Sequence, residues 1–506
     1  METLREHNVY RKDTREVSVL FGFCYPSTYR AGMTGLATHL FYSLLNLRED
    51  TSCERYFRFD AGAPAQSIES GRPLRDNHIV GFSLTYEEDV LNLVQMLRLG
   101  GIAERRKDRR PDDPLVLIGG PVVSANPVPY SIVADALMIG EGDVAINEIV
   151  DSVRDSTSRT EALARMNGVE GLYLPNSGPT VVHRRIHPDL DGLFYPTAQV
   201  VPIVDPESHH EPVFGPAFLT EVTRGCGHSC KFCLIGHICR PRRSRSLGRL
   251  QELVEIGLQQ TPVSKIALIG SSLGDMDRLD EFTTWIVDRE LELSAPSLRA
   301  DSISEVLLNN LVKGKQRTLT IAPETGSESL RNRMRKGLDD EDIMNAARLA
   351  ESVGIRYLKL YFIIGLPGEN DEDVESIASL IERITESTRL IVTASVNPYI
   401  PKANTALQRS PQPPLEEIRR RLRIVGSGLK SLTRVNLETL DPRSARIQAA
   451  LSLGDKSTGQ IIIAASRYGG YAGWRRAERE TGIDFFSLAN DNERLQGDLP
   501  WSFVRT

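Results

Sequence analysis

Residues 221–243 read EVTRGCGHSCKFCLIGHICRPRR, and four of the chain's six cysteines fall inside them. An apolar strand runs into a glycine turn, and Cys226, Cys230 and Cys233 follow with the spacing C-x3-C-x2-C. Six cysteines in 506 residues are too few for a disulfide framework, so a reducing compartment and a metal centre are the first inference. Three close thiolates can hold three irons of a 4Fe-4S cube, leaving the fourth iron open to a substrate or cosubstrate. The alternative is zinc, with His228, His237 or Cys239 as a fourth ligand. Three thiolates on one loop at the head of a βα series favour the cube.

Working outward, residues 213–435 alternate strands with amphipathic helices. The strands are AFLTEVTRG (217–225), KIALIGS (265–271), LSAPSLR (293–299), TLTIAPE (318–324), YLKLYFIIG (357–365) and IVTASVNPYI (391–400). Six βα units predict a partial (β/α)6 TIM barrel, whose chemistry belongs on the loops at the carboxyl ends of the strands. Residues 1–165 carry an earlier series: EVSVLFGF (16–23), HIVGFSLT (78–85), PLVLIGGP (114–121) and ADALMIGEG (134–142), with helical periodicity over 31–46 and 90–99. Continuous β-branched runs joined by helices predict an α/β, doubly wound Rossmann-like sheet with ligands beyond its carboxyl ends. Residues 166–212 read as a linker with an extended pair at GLYLP and TVVHRR. Residues 436–506 read as a small helical C-terminal extension ending in an aromatic tail.

The cysteine triplet resembles the signature of the radical S-adenosylmethionine (radical SAM) superfamily. More of the chain agrees with one subfamily, in SIESGRPL (67–74), GFSLTYE (81–87), IGEGD (139–143), APETGSE (322–328), GLPGE (365–369) and DLPW (498–501). That subfamily joins a cobalamin-binding-like domain to a radical SAM barrel. The resemblance implies an enzyme in which a 4Fe-4S cluster cleaves S-adenosylmethionine reductively, giving a 5′-deoxyadenosyl radical that activates a C–H bond. It implies an electron donor such as flavodoxin or ferredoxin. It places Phe232 beside the adenine, where ordinary loop packing is the competing reading. The second-strand end, Gly270-Ser271-Ser272, departs from the family's Gly-Gly-Glu, so Ser271 and Ser272 stand where the methionine amino group would bind. Glu324 and Arg299 end the fourth and third strands as further cofactor-binding candidates. Asp301 ends the third strand in the same way as Arg299 or caps a helix, Gly365 and Gly368 let backbone approach the adenosine, and Glu369 reads as a helix cap.

Cobalamin-binding folds present Asp-x-His-x-x-Gly after the first strand, and this chain has CYPSTYRAGMTG (24–35), with no histidine. Ser83, Thr85, Gly119 and Gly120 resemble the later motifs around the nucleotide tail. Cobalamin without a protein axial ligand, an empty fold, and a different ligand in the same crevice all stay open. Cobalamin would make C-methylation the natural reaction. Methylthiolation is the weaker rival, because only Cys24, Cys53 and Cys239 remain for a second cluster.

The remaining composition is that of an ordinary soluble chain, 40% hydrophobic and 25% charged with net charge −6. No apolar run reaches the roughly 20 residues a membrane helix needs, and a cytoplasmic location is expected. Basic residues divide as 11 Lys and 50 Arg, five of the arginines lying at 240, 242, 243, 245 and 249. That row reads as a solvated face or as a grip on phosphate. Nucleic acid is admitted as a partner but not favoured, given the acidic balance. The rival from another class is an Fe–S or zinc scaffold that binds RNA or a protein partner without catalysis.

Overall fold

The computed structural model describes residues 4–58, 62–63, 65–176, 181–205 and 207–506. Strands β1 (Val19–Tyr25), β2 (Thr51–Phe57), β3 (Ile79–Ser83), β4 (Leu115–Gly119), β5 (Ala136–Met138) and β6 (Leu172–Tyr173) form one sheet in the order β2-β1-β3-β4-β5-β6. Every pairing is parallel except β5–β6. The order reverses between β1 and β3, which is the crevice where doubly wound sheets bind ligands. Tyr25 and Thr85 meet across that point, hydroxyl to hydroxyl, at 3.1 Å.

The helical pattern over 31–46 divides at Gly35 into α1 (Tyr29–Thr34) and α2 (Leu36–Asn46). Helices α3 (Asp89–Leu99), α4 (Pro121–Ala125), α5 (Gly142–Arg154) and α6 (Arg159–Met166) follow. One sheet face packs on α2, α5 and α6 through Phe21, Phe23, Leu45, Ile146 and Ile149. The other packs on α3 and on residues from far along the chain, described below.

The second unit holds β7 (Phe218–Glu221), β8 (Lys265–Ile269), β9 (Glu292–Ser294), β10 (Thr318–Glu324), β11 (Tyr357–Ile364), β12 (Ile391–Pro398) and β13 (Val435–Thr439). They form parallel sheets of three and four strands, linked by a parallel bridge between Leu298 and Ile321. The result is an open arc of α/β units, and no pairing of β7 with β13 exists among the described residues. All six expected strands are present. The seventh, β13, straddles the division expected at 435/436, because VNLET pairs in register with Val392–Val396 although its own pattern is too polar to announce a strand.

Both segments expected to be extended, GLYLP and TVVHRR, hold short strands, but among the described residues, which exclude Thr180, they do not pair with each other. Leu172–Tyr173 instead closes the first sheet, and Val182–His183 pairs in parallel with Val504–Arg505. The C-terminal helices α7 (Pro442–Ser452), α8 (Thr458–Ala465) and α9 (Gly470–Thr481) cover the bare face of the first sheet. Ile447, Ile461, Ile462 and Trp474 share one buried core with Val80, Phe82, Val116 and Ile118. Asn126 of the first unit donates to the carbonyls of Ser452 and Gly454 at 3.0 and 2.9 Å. No helix among the described residues is long and apolar enough to cross a membrane.

Candidate active site

The cysteine loop springs from the end of β7 and is closed at its neck by a two-residue antiparallel ladder, Thr223 with Ser244 and Arg224 with Arg243. Gly225 makes the turn at φ +81°, and a Cβ there would lie 1.9 Å from the Cys239 carbonyl oxygen, so only glycine fits. The Gly236 N–H donates to Cys233 Sγ at 3.5 Å, and Lys231 N–H ties the loop to the Met334 carbonyl at 3.0 Å. Burial raises the Cys230 and Cys233 thiols, while Lys336 favours their ionised forms.

The residues that could complete a zinc site have other neighbours. His228 Nε2 lies 2.8 Å from Asp275 Oδ2, without hydrogen-bond geometry. His237 Nδ1 meets the Cys233 carbonyl at 2.7 Å and its Nε2 accepts from Ala406 N–H at 3.2 Å. Cys239 is tucked beside Arg184. Among the described residues no three His, Cys, Asp or Glu side chains converge as ligands of a single ion. Three thiols from one loop, with no fourth protein ligand gathered, suit separate corners of a cube better than one tetrahedral ion.

Around this loop stand the other strand-end candidates. Glu324 ends β10 beyond a register shift, at φ +72°, and its Oε1 lies 3.2 Å from Lys336 Nζ. Burial raises its carboxyl, opposed by Lys336 and Arg299. A non-glycine residue in the left-handed region at a strand end is a mark of functional geometry. Arg299 pairs with Asp301 at 2.8 Å and donates to the Lys336 carbonyl at 3.0 Å; Asp301 is no helix cap, since Ser304 caps the next helix. Phe232 packs against the cluster of Leu330, Met334, Leu366, Tyr399 and Leu407.

Ser271 is exposed and Ser272 buried. The hydroxyls of Ser272 and Thr223 are both buried without a hydrogen-bond partner, and Thr223 Oγ1 would lie 2.5 Å from a Cβ on Gly270. Two such orphans beside one glycine leave hydrogen-bonding capacity for a ligand. Gly365 has φ +87°. Glu369 is not the cap of the following helix, a role that Asn370 takes with a capping box. Its Oε2 accepts from Gly365 N–H and pairs with Arg421, each at 2.5 Å, so it braces the glycine turn instead.

A cavity of about 320 Å³ lies between the carboxyl end of the first sheet and the barrel. Ser83, Thr85, Gly119 and Gly120 all line it, with Phe23, Phe41, Leu117 and Met138 as apolar wall and Glu221, Arg224 and Ile269 contributed by the barrel. Gly120 holds φ +112°, where a Cβ would strike the Leu84 carbonyl at 2.4 Å, whereas a Cβ on Gly119 would meet only Met138 at 3.5 Å.

The arginine row is neither a solvated face nor a phosphate grip as a whole. Arg243 pairs with Glu141 at 2.5 Å and Arg245 with Glu221 at 3.0 Å, both buried. Arg249 pairs with Glu252 at 2.7 Å, and Arg240 donates to the His228 carbonyl at 2.8 Å. Arg224, which sequence reasoning passed over, joins Glu221, Asp143 and Glu141 at 2.9, 3.0 and 3.2 Å. Its only signal was its place in TRGC. Lys336 carried no signal, because the loop that brings it to Glu324 is a tertiary event.

Two family models match: "Radical SAM proteins, N-terminal" over residues 37–175 and "Radical SAM superfamily" over 220–381. An uncharacterized protein of Methanocaldococcus jannaschii is 30% identical over 447 residues, covering 87% of this chain and 89% of that protein.

The chain belongs to the radical SAM superfamily.

It is thus an enzyme of the class that uses a 4Fe-4S cluster and S-adenosylmethionine to generate a 5′-deoxyadenosyl radical. A tRNA-2-methylthio-N(6)-dimethylallyladenosine synthase of Hahella chejuensis is 25% identical over 286 residues, 53% of this chain and 61% of that enzyme. Among solved structures, the radical S-adenosylmethionine methyltransferase TsrM from Kitasatospora setae, with cobalamin and a [4Fe-4S] cluster bound, superposes with a TM-score of 0.57 at 13% identity, covering 92% of this chain and 99% of that one. That likeness shows a shared architecture spanning both units.

Proposed function

We propose that this radical SAM enzyme transfers a methyl group to a carbon of its substrate with cobalamin held in the first unit. The observation that carries the reading is the cavity: its lining unites all four motif residues expected around a nucleotide tail and opens against the barrel's first two strands. The open space at Gly119, an apolar wall and the Ser83 and Thr85 side chains suit a flat tail anchored by a few polar contacts. Cobalamin, when bound, supplies a methyl group that can be passed to a carbon radical.

Cys226, Cys230 and Cys233 hold the cluster. Thr223 and Ser272 offer hydroxyls to the methionine end of the cosubstrate in place of the glutamate that Gly-Gly-Glu would supply. Glu324, set by Lys336 and Arg299, accepts from ribose or amino groups, while Gly365 and Glu369 fix the backbone beside the adenosine. Phe232 walls the same space. A flavodoxin or ferredoxin supplies the electron. Functionally the chain divides near 165, 212 and 435, with the C-terminal helices a structural layer on the first unit.

Methylthiolation is disfavoured because Cys24 and Cys53 are buried within β1 and β2 and Cys239 lies on the cluster loop, so no second set of three thiols assembles. Two measurements test the proposal. Cys230→Ala should lose bound iron and release of 5′-deoxyadenosine together. Gly119→Leu, which fills the cavity without backbone strain, should weaken hydroxocobalamin uptake at least about tenfold while 5′-deoxyadenosine release persists. Absence of cobalt absorbance in the parent protein after hydroxocobalamin incubation would sink the cobalamin reading.

A further inference from the structure

On the solvent side of the cysteine loop lies a second, open concavity of about 700 Å³, lined by Arg184, Cys226, Gly227, His237, Arg240, Pro241, Arg242 and Thr506. Its charge is predominantly positive. No carboxylate side chain lines it, the main-chain carboxylate of Thr506 being the one anion there, and Arg184, Arg240 and Arg242 form no ion pair among the described residues, whereas Arg224, Arg243, Arg245 and Arg249 nearby are each paired. Arg184 spends its guanidinium on the carbonyls of Ile238 and Arg240, and half-buried Arg242 donates to Ser244 Oγ at 3.1 Å. These contacts fix the cations in place without neutralising them. Of the three cysteines only Cys226 reaches this surface, Cys230 being buried.

From this we infer that the Arg184–Arg240–Arg242 rim is the docking surface for an acidic electron-donor protein, which delivers its electron on the Cys226 side of the loop. The inference rests on the proposed role of Cys226 as a cluster ligand and adds where the reductant arrives. Charge complementarity is the argument: uncompensated cations around a concavity speed the encounter with an anionic partner and orient it, with an effect that fades as salt rises. The same rim could attract the phosphates of RNA. The proximity of Cys226, a proposed cluster ligand, favours a redox protein over a nucleic acid.

The test uses the full chain with its cluster reconstituted without oxygen, as parent, Arg242→Glu and Arg242→Lys, matched in iron content. The probe is a purified acidic flavodoxin, followed by binding affinity at low and high salt and, with its flavin reduced beforehand to the hydroquinone, by bleaching of the cluster's visible absorbance as the flavin gives up one electron. Arg242→Glu should bind at least about fivefold more weakly at low salt and be reduced correspondingly more slowly. Arg242→Lys should behave as the parent, and reduced methyl viologen, a small cation, should bleach all three equally. Unchanged flavodoxin binding in Arg242→Glu overturns the inference. So does an equal slowing with viologen, or a short single-stranded RNA that binds where flavodoxin does not. Should the protein hold no iron, the cluster assignment fails by itself, and the affinity measurements still decide the surface.

Discussion

Glu369 illustrates how a single residue's role depends on neighbours the sequence does not name. It sits in GLPGE two residues before a helix, where a carboxylate reads as a cap, yet its side chain turns back onto Gly365 and across to Arg421, 52 positions away. Burial pushes its carboxyl up to about 7 despite both partners. Because the folded form then holds a proton that the unfolded form has released, this group's contribution to stability is largest below its ordinary value of 4.5 and falls as pH rises to about 7. The loss is on the order of 3 kcal/mol. Glu369→Gln, which keeps the acceptor and cannot ionise, should flatten the decline of the urea midpoint between pH 5 and 7.5. A variant with the parent's slope would refute this assignment of the proton.

At the scale of elements, the two units are joined at the cavity by buried charges as well as by Leu36, which packs on Leu219 and Ala267 of the second unit. Arg243 and Arg224 face each other across the neck ladder of the cysteine loop, and both reach Glu141, at the turn into α5. The ladder therefore fixes the loop's neck and the seat of the first unit together. Removing Arg243 takes away a charge-assisted hydrogen bond but leaves Glu141 paired with Arg224. Arg243→Ala should cost about 2 kcal/mol in a urea titration and reduce the iron retained after reconstitution. A destabilised protein with full iron content would show that the neck and the loop are independent.

For the molecule as a whole, the C-terminal layer is part of the first unit's core rather than an appendage. Gly459 lies so close to the sheet side that a Cβ there would meet Ile132 Cγ2 at 2.1 Å. Trp474 stacks on Phe485, with ring centroids 4.5 Å apart, inside the core that holds Val80 and Ile118. Removing that indole should cost about 3–5 kcal/mol. The loss should appear as faster amide exchange in β3, 391 positions upstream of Trp474. Rapid exchange confined to α7–α9 in Trp474→Ala, with β3 unchanged, would mean that the two parts unfold separately.

Period and punctuation made much of this legible beforehand. Near-continuous apolar runs ending in glycines, at 114–121 and 134–142, can hardly be anything but buried parallel strands, and they marked where a crevice would open. C-x3-C-x2-C after a strand is a local pattern whose chemistry survives without knowledge of the fold. Strand β13 was not legible, because an exposed, polar edge strand is decided by its neighbour's hydrogen bonds and not by its own side chains. The arginine row misled for a related reason: a guanidinium reads as surface until a buried carboxylate from another unit is placed against it. By itself the sequence determined the two α/β units and the thiolate loop, which depend on local period and spacing, and its motifs carried the resemblance to the superfamily. Only the tertiary structure decided that four motif residues from separate strands share one cavity, that Lys336 stands against Glu324, and that the C-terminal helices complete the first sheet. Each of those is a contact between side chains far apart along the chain, and its energy exists only once the backbone between them has folded.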